Sequence, residues 1–184
     1  MKAAHRGPAN DTTCSDAELL ANIAAGELSA LGSLYDRHAP GLLRFARRVA
    51  PQEAEDLLQS TMLRVTRLAS RFDGRTPSAR AWLFAIMLRV AQERSRSLRR
   101  LGAALKRFAE LPRAAIDPLE TAPDLERGLC RLSHAKRSVL LLSEVEGFTC
   151  EEIANMLEIP VGTVWTRLHH ARRELRAFHE EQGR

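Results

Sequence analysis

The residues of this chain that are equipped for covalent or metal chemistry are few and scattered. The six histidines are His5, His38, His134, His169, His170 and His179. On a helix the adjacent pair His169-His170 projects about 100° apart, so the two do not suit one metal ion. Cys130 and His134 have one-turn spacing, but two ligands do not make a zinc site. The chain contains no HExxH pair, no phosphate-cradling glycine loop and no nucleophile elbow. Cys14, Cys130 and Cys150 are odd in number and include no CxxC, so they make no disulfide framework and fit a reducing cytoplasm as structural thiols. No catalytic residue, metal or cofactor is expected.

Recognition chemistry is better supplied. Residues 149–175 read TCEEIANMLEIPVGTVWTRLHHARREL. Thr149 and Glu152 have capping-box spacing and open a short helix with Ile153, Ala154 and Leu157 inward. Pro160 lacks an amide hydrogen and pushes Ile159 toward extended geometry, so that helix must stop. Gly162-Thr163 starts a second helix. Val164, Leu168, Ala171 and Leu175 step by four, three and four, which makes one buried stripe. Trp165, Thr166, Arg167, His169, His170, Arg172 and Arg173 then face outward or flank it. A helix of this kind fits the major groove, with polar residues at base edges, arginines at phosphates and free amides at its start. The plainer alternative is a solvated amphipathic hairpin. A supporting helix is expected before the pair, with Leu132-Ser133 as staple and cap, then Val139, Leu140 and Leu142, and an end at Gly147.

The elements that must position this pair are helical as well. The 184 residues are 45% apolar and only 5% aromatic, and Leu, Ala, Arg and Glu favour helix over sheet. Ser15 and Glu18 form another capping box ahead of Leu19, Leu20 and Ile23, with Gly26 as the stop. Leu31, Leu34, Leu42, Phe45 and Val49 continue the helical spacing, and Pro40 among them predicts a bend or a boundary. Pro51 suits a first turn, and Ala54, Leu58, Thr61, Val65 and Leu68 form one face after it. Residues 71–79 read as a loop, and helix resumes near Ser78 with Trp82, Ala85 and Ile86.

Net charge is +5, and its distribution says more than its size. Residues 89–107 hold seven basic residues and one acid, whereas 110–126 hold five acids, one arginine and three prolines. The latter reads as a linker. An all-α chain of two small helical domains on a flexible linker follows, the C-terminal one with a helix-turn-helix. The expected divisions are a disordered arm at 1–14, a first domain at 15–98, a linker at 99–124 and a second domain at 125–180. No run approaches a membrane span, so no membrane insertion is expected, and the N-terminus lacks the apolar core of a signal peptide.

The stretch VEGFTCEEIANMLEIPVGTVWTRLHHARREL closely resembles the promoter-binding domain (region 4) of extracytoplasmic-function (ECF) sigma factors, in the sigma-70 family. AEDLLQSTMLRV at 54–65 and ARAWLFAIMLRV at 79–90 resemble their core domain (region 2). The two blocks stand in the right order and cover most of the chain. The resemblance implies a protein that binds core RNA polymerase and directs promoter-specific initiation, and has no chemistry of its own. The C-terminal domain would read the minus-35 element as duplex through Trp165, Thr166, His169 and His170, with Arg167, Arg172 and Arg173 on phosphate. The N-terminal domain would help melt the minus-10 element and hold its strand. Phe72 and Trp82 flank a loop suited to an unstacked base, though each also suits core packing. Arg89 falls in the melting helix, and Arg94, Arg96, Arg99 and Arg100 would track phosphates. Docking on a coiled coil of the largest polymerase subunit would fall to Asp56, Leu57, Gln59, Ser60 and Leu63.

Departures from the pattern are concentrated in two places. The melting helix usually reads close to WLYRIARNLAIDRLR and here reads WLFAIMLRVAQERSR. Arg89 replaces the asparagine, Glu93 the aspartate, and Leu88 the preceding arginine. Asparagine can pair bidentately with a base edge, whereas arginine only donates. Altered minus-10 preference, or more reliance on backbone charge, is expected. In the docking helix Ser60 replaces a glutamate and Thr66 a tryptophan. A dimeric helix-turn-helix regulator that never touches polymerase is the rival reading, and the N-terminal block argues against it. For control, the tether accommodates either an anti-sigma factor wedged between the domains or a compact self-inhibited form.

Overall fold

The computed structural model describes residues 14–74, 78–106 and 124–182, without the side chains of residues 98, 99 and 101–106. The expected arm at 1–14, except its last residue, most of the linker and the middle of the 71–79 loop lie outside it. The described residues form eight α-helices and no strand. They are α1 (Asp16–Ala24), α2 (Leu28–Val49), α3 (Ala54–Leu68), α4 (Ala79–Lys106), α5 (Asp124–Arg131), α6 (His134–Glu144), α7 (Cys150–Leu157) and α8 (Val161–Gln182).

Helix starts follow their local chemistry. Ser15 Oγ accepts from Glu18 N while Glu18 Oε2 accepts from Ser15 N, and Thr149 and Glu152 repeat that exchange. Each box satisfies two amides that a helix start leaves orphaned. Ser133 caps α6 by accepting from Lys136 N. Ser78 does the same for Ala81 N at the start of α4. Gly26 and Gly147 take φ of +95° and +73° just beyond α1 and α6, a region closed to most side chains.

Pro40 marks no boundary, because α2 runs through it. The buried residues Leu34, Ala39, Leu42, Phe45 and Val49 lie on both sides of it, and tertiary burial outweighs the local cost of a proline. The basic helix α4 extends to Lys106, beyond the boundary expected at 98. At the other end α5 runs from Asp124, next to the division expected at 125, with Asp124 and Glu126 in its first turn, where acids favour the helix dipole.

The N-terminal unit is α1–α4, with α3 packed between α2 and α4. The C-terminal unit is α5–α8, with α8 laid across α5, α6 and α7. The two units touch: α7 lies against α4, and α6 against α2. Their buried apolar side chains form one continuous cluster from Leu19 to Ala171. Arg137 ties the units from within. Its guanidinium donates to the carbonyls of Leu129, Cys130 and Leu132 at the end of α5, and to Val49 O of α2 at 3.2 Å. Burial pulls its pKa down, yet a guanidinium stays charged, so it serves as a cation at two helix C-termini.

Candidate nucleic-acid and polymerase interfaces

The recognition helix is α8. Val164, Leu168 and Ala171 are buried as the spacing required, Leu175 is half-buried, and the stripe continues to Phe178. Phe178 lies under the Arg131 guanidinium, 4.7 Å from the ring centroid. Opposite that stripe the side chains face water. Trp165 is 57% exposed, an unusual position for a large aromatic unless something is to cover it. Thr166, His169, Arg172 and Arg173 are exposed, whereas Arg167 and His170 are half-buried. Thr166 Oγ1 already donates to Gly162 O at 2.9 Å, which leaves its lone pairs and methyl group for a base. Arg172 is held by Glu144 at 2.5 Å. Trp165, His169, Arg172, Arg173 and Arg176 line one open hollow with Ser143 and Cys150. Arg176 was not among the expected residues, although its spacing of three and four from Arg173 and Arg172 is a helical signal.

On α4 the candidate strand-holding residues separate into two faces. Trp82, Arg89, Glu93, Arg96 and Arg100 step by seven, four, three and four, so they share one side. Arg89, Arg96 and Arg100 are exposed there. Trp82 is half-buried and meets Phe72 edge to face at 5.4 Å between centroids. The pair therefore packs on the core and also borders the loop. Glu93 is clamped by Arg64 of α3, both carboxylate oxygens lying 2.8 Å from Nη1. That hydrogen bond holds the Glu93 carboxyl below its ordinary pKa. Arg94 lies on the other side of α4. It donates to Ser60 Oγ at 2.7 Å and to Asp56 O, and pairs with Glu53 at 3.5 Å. It braces α3 and is turned away from the Arg89–Arg96 face. The Arg99 side chain lies outside the described residues.

The candidate docking face is the outer side of α3. Asp56, Gln59 and Leu63 are exposed and Ser60 is half-buried. Leu63 is 57% exposed, which suits the apolar centre of an interface. Leu57 does not belong to that face. It is 1% exposed, because it precedes Thr61 and Val65 by one and two turns on the core stripe. It supports the face from beneath.

Among the described residues no group of three metal-ligating side chains converges, and no helix is long and apolar enough to cross a membrane. None of the three cysteines is in a disulfide among the described residues, and all are half-buried.

Residues 34–101 match the family Sigma-70 region 2, and residues 124–175 match Sigma-70, region 4. The ECF RNA polymerase sigma factor SigL of Mycobacterium tuberculosis is 32% identical, over 87% of this chain and 94% of that protein. The chain belongs to the ECF RNA polymerase sigma factors. The sigma factor CarQ of Myxococcus xanthus is 33% identical over 82% of this chain and 90% of its own. Among solved structures, CnrH in complex with the cytosolic domain of CnrY shares 27% identity, with a TM-score of 0.65 over 90% of this chain and 97% of that one. The two-domain, all-helical reading of this sigma factor thus stands, with regions 2 and 4 on either side of the linker.

A sigma factor needs its basic residues available, and here several are engaged by this chain's own acids. Arg80, Arg89 and Arg172 pair with Glu146, Glu158 and Glu144. Sequence reasoning missed these acids. Glu146 and Glu158 lie 66 and 69 residues from their partners, and no local periodicity reports such a pairing.

Proposed function

We propose that this sigma factor docks on core RNA polymerase through the outer face of α3 and reads promoter DNA with α8 and α4. Asp56, Gln59, Ser60 and Leu63 form the docking face, with the charged residues at the rim and Leu63 as the apolar contact. The partner surface is the coiled coil of the largest subunit. The α8 helix enters the major groove of the minus-35 duplex. Trp165, Thr166, His169 and His170 meet base edges, and Arg167, Arg172, Arg173 and the newly found Arg176 meet phosphate. The Trp82–Phe72 pair borders the place of an unstacked minus-10 base, and Arg89, Arg96, Arg99 and Arg100 follow the strand. The protein acts in the cytoplasm as a binding factor and supplies no catalytic group. An anti-sigma factor, or the packing of its own two domains, limits its access to promoters.

One observation carries this reading more than any other. The outward side of α8 combines an exposed tryptophan with His169, the half-buried His170, and the exposed Arg172, Arg173 and Arg176, on a helix anchored by a buried stripe. It is the combination of aromatic, imidazole and guanidinium groups on one side that suits nucleic acid better than a merely solvated helix. The direct test is to capture core polymerase with the purified chain at low salt and to sequence the promoters that the assembled enzyme opens. Stable assembly and a shared upstream element are expected. Failure to assemble, with no inhibitor present, would overturn the proposal.

A further inference from the structure

The seam between α4 and α7 is built like a latch. Ala81, Phe84, Ala85 and Leu88 share one side of α4, since they recur at helical spacing. All four are buried, Leu88 to 0% exposure. The Phe84 ring meets Phe148, just before α7, edge to face at 5.4 Å. Arg80 and Arg89 are nine residues apart, which is two and a half turns, so they stand at opposite edges of this apolar side. Each edge arginine meets a carboxylate of the C-terminal unit. Arg80 Nη2 lies 2.5 Å from Glu146 Oε2, and its Nη1 donates to Glu146 O at 3.1 Å. Its Cζ sits 4.5 Å from the centre of the Phe148 ring. The Glu146 side chain is only 6% exposed, so that carboxylate has left water for this one partner. At the far edge Arg89 Nη2 lies 2.5 Å from Glu158 Oε1.

Glu158 is the only non-glycine among the described residues with positive φ, at 53°. It caps the C-terminus of α7, where glycine or asparagine adopts the left-handed form at least cost. The cap does not require a carboxylate, whereas the pair with Arg89 uses one. Arg89 and Leu88 are also two of the positions at which the melting helix departs from its usual pattern, and here one is latched and the other fully buried. The recognition side of α8, by contrast, stays open to water.

We infer that Glu146 and Glu158 stand in for DNA phosphates, holding the free chain closed on Arg80 and Arg89 so that single-stranded promoter DNA engages these two arginines of α4 only when this seam opens. The inference rests on the strand-holding role proposed for α4, and it adds Arg80 to the phosphate-binding residues. It also makes the control selective: closure occupies Arg80 and Arg89 at the minus-10 surface and leaves the minus-35 surface available.

The test uses the full chain and two variants. Glu146→Gln/Glu158→Gln removes both carboxylates at constant size. Glu158→Gly removes one and relieves the left-handed backbone, so it cannot fail through a weakened cap. A control, Glu27→Gln/Glu180→Gln, makes the same charge change at exposed positions away from the seam. Small-angle scattering reads opening. Fluorescence anisotropy reads affinity for a labelled mixed-sequence single-stranded oligonucleotide and for a duplex carrying the upstream element. The double variant should expand and bind the single strand about tenfold tighter, and Glu158→Gly about twofold, while duplex affinity moves less than about twofold. The control should do none of this. Unchanged scattering in both variants would overturn the latch and leave the promoter reading intact. Expansion with no gain in single-strand affinity would overturn the strand site on α4. An equal gain in the control would show a general charge effect and overturn the inference.

Discussion

Arg172 and Arg173 are neighbours in sequence, yet they are not equivalent as DNA contacts. Arg173 is exposed and has no ion pair among the described residues. Arg172 is held by Glu144, with side-chain exposures of 51% and 48% for the two partners. Each phosphate contact adds about 0.9 to the slope of log affinity against log salt. A fourfold rise in salt therefore costs about 3.5-fold in affinity per contact, and about 12-fold for two. Before it can meet a phosphate, Arg172 must give up Glu144. A half-exposed pair of this kind is worth about 0.2–1 kcal/mol, or up to about fivefold in affinity. Arg173→Ala should therefore weaken duplex binding more than Arg172→Ala, by up to about that factor. Glu144→Gln should tighten binding by a similar amount. The double Arg→Ala variant should flatten the salt slope by about 1.8. The assay is anisotropy titration of the full chain against an upstream-element duplex at several salt concentrations. An unchanged slope in the double variant would show that this side of α8 does not face phosphate. No response to Glu144→Gln would show that the pair does not compete with DNA.

Four further outcomes are expected. Leu57→Ala should lower unfolding stability by about 2–5 kcal/mol, because it opens a cavity in a packed core, whereas Leu63→Ala should leave thermal stability unchanged and weaken capture of core polymerase. Asp56→Arg should abolish that capture and leave duplex binding by the chain intact. His169→Ala should relax discrimination at one upstream base pair by about 1–3 kcal/mol, read as a flattened ranking of promoter variants. Gly128→Ala should lower Tm: its new Cβ would lie 2.9 Å from Phe178 Cδ1, and overpacking of about 1–3 kcal/mol exceeds the helix propensity gained.

Features that depend on neighbours in sequence were legible without coordinates. The capping boxes at Ser15 and Thr149, the cap at Ser133 and the buried stripe of α8 all rest on contacts within one or two turns, and such contacts leave a periodic trace. At Pro40 the local cost was visible, whereas the burial that carries α2 through it comes from helices elsewhere in the chain. Leu57 was grouped with its exposed neighbours by a resemblance that names a segment and does not say which way each side chain points. One turn of register decides that, and the stripe through Thr61 and Val65 contained the answer. Arg94 looked like one more arginine in a basic run. Its engagement with Ser60, Asp56 and Glu53 depends on how α3 packs on α4, which no spacing within α4 encodes.

The acids between α6 and α8 give these separate observations a common cause. Glu144, Glu146 and Glu158 lie within one short stretch around α7, and each is paired with an arginine. Two of those arginines belong to the other domain, and the third lies on the recognition helix. A segment that supports α8 therefore also neutralises charge on both surfaces proposed to meet nucleic acid. Exposed pairs contribute little to stability, so Glu144–Arg172 and Glu158–Arg89 cannot be there chiefly to hold the fold together. They are better understood as competitors, weak enough for a polyanion to displace and strong enough to disfavour casual contact with non-promoter DNA. Glu146 differs, because its carboxylate is buried and its loss would strand Arg80 between two aromatic rings. A partly buried pair with one partner removed is costly in a way that an exposed pair is not. Opening of the seam should thus be governed at the Arg80 edge, with the Arg89 edge setting how readily DNA takes over once it has begun.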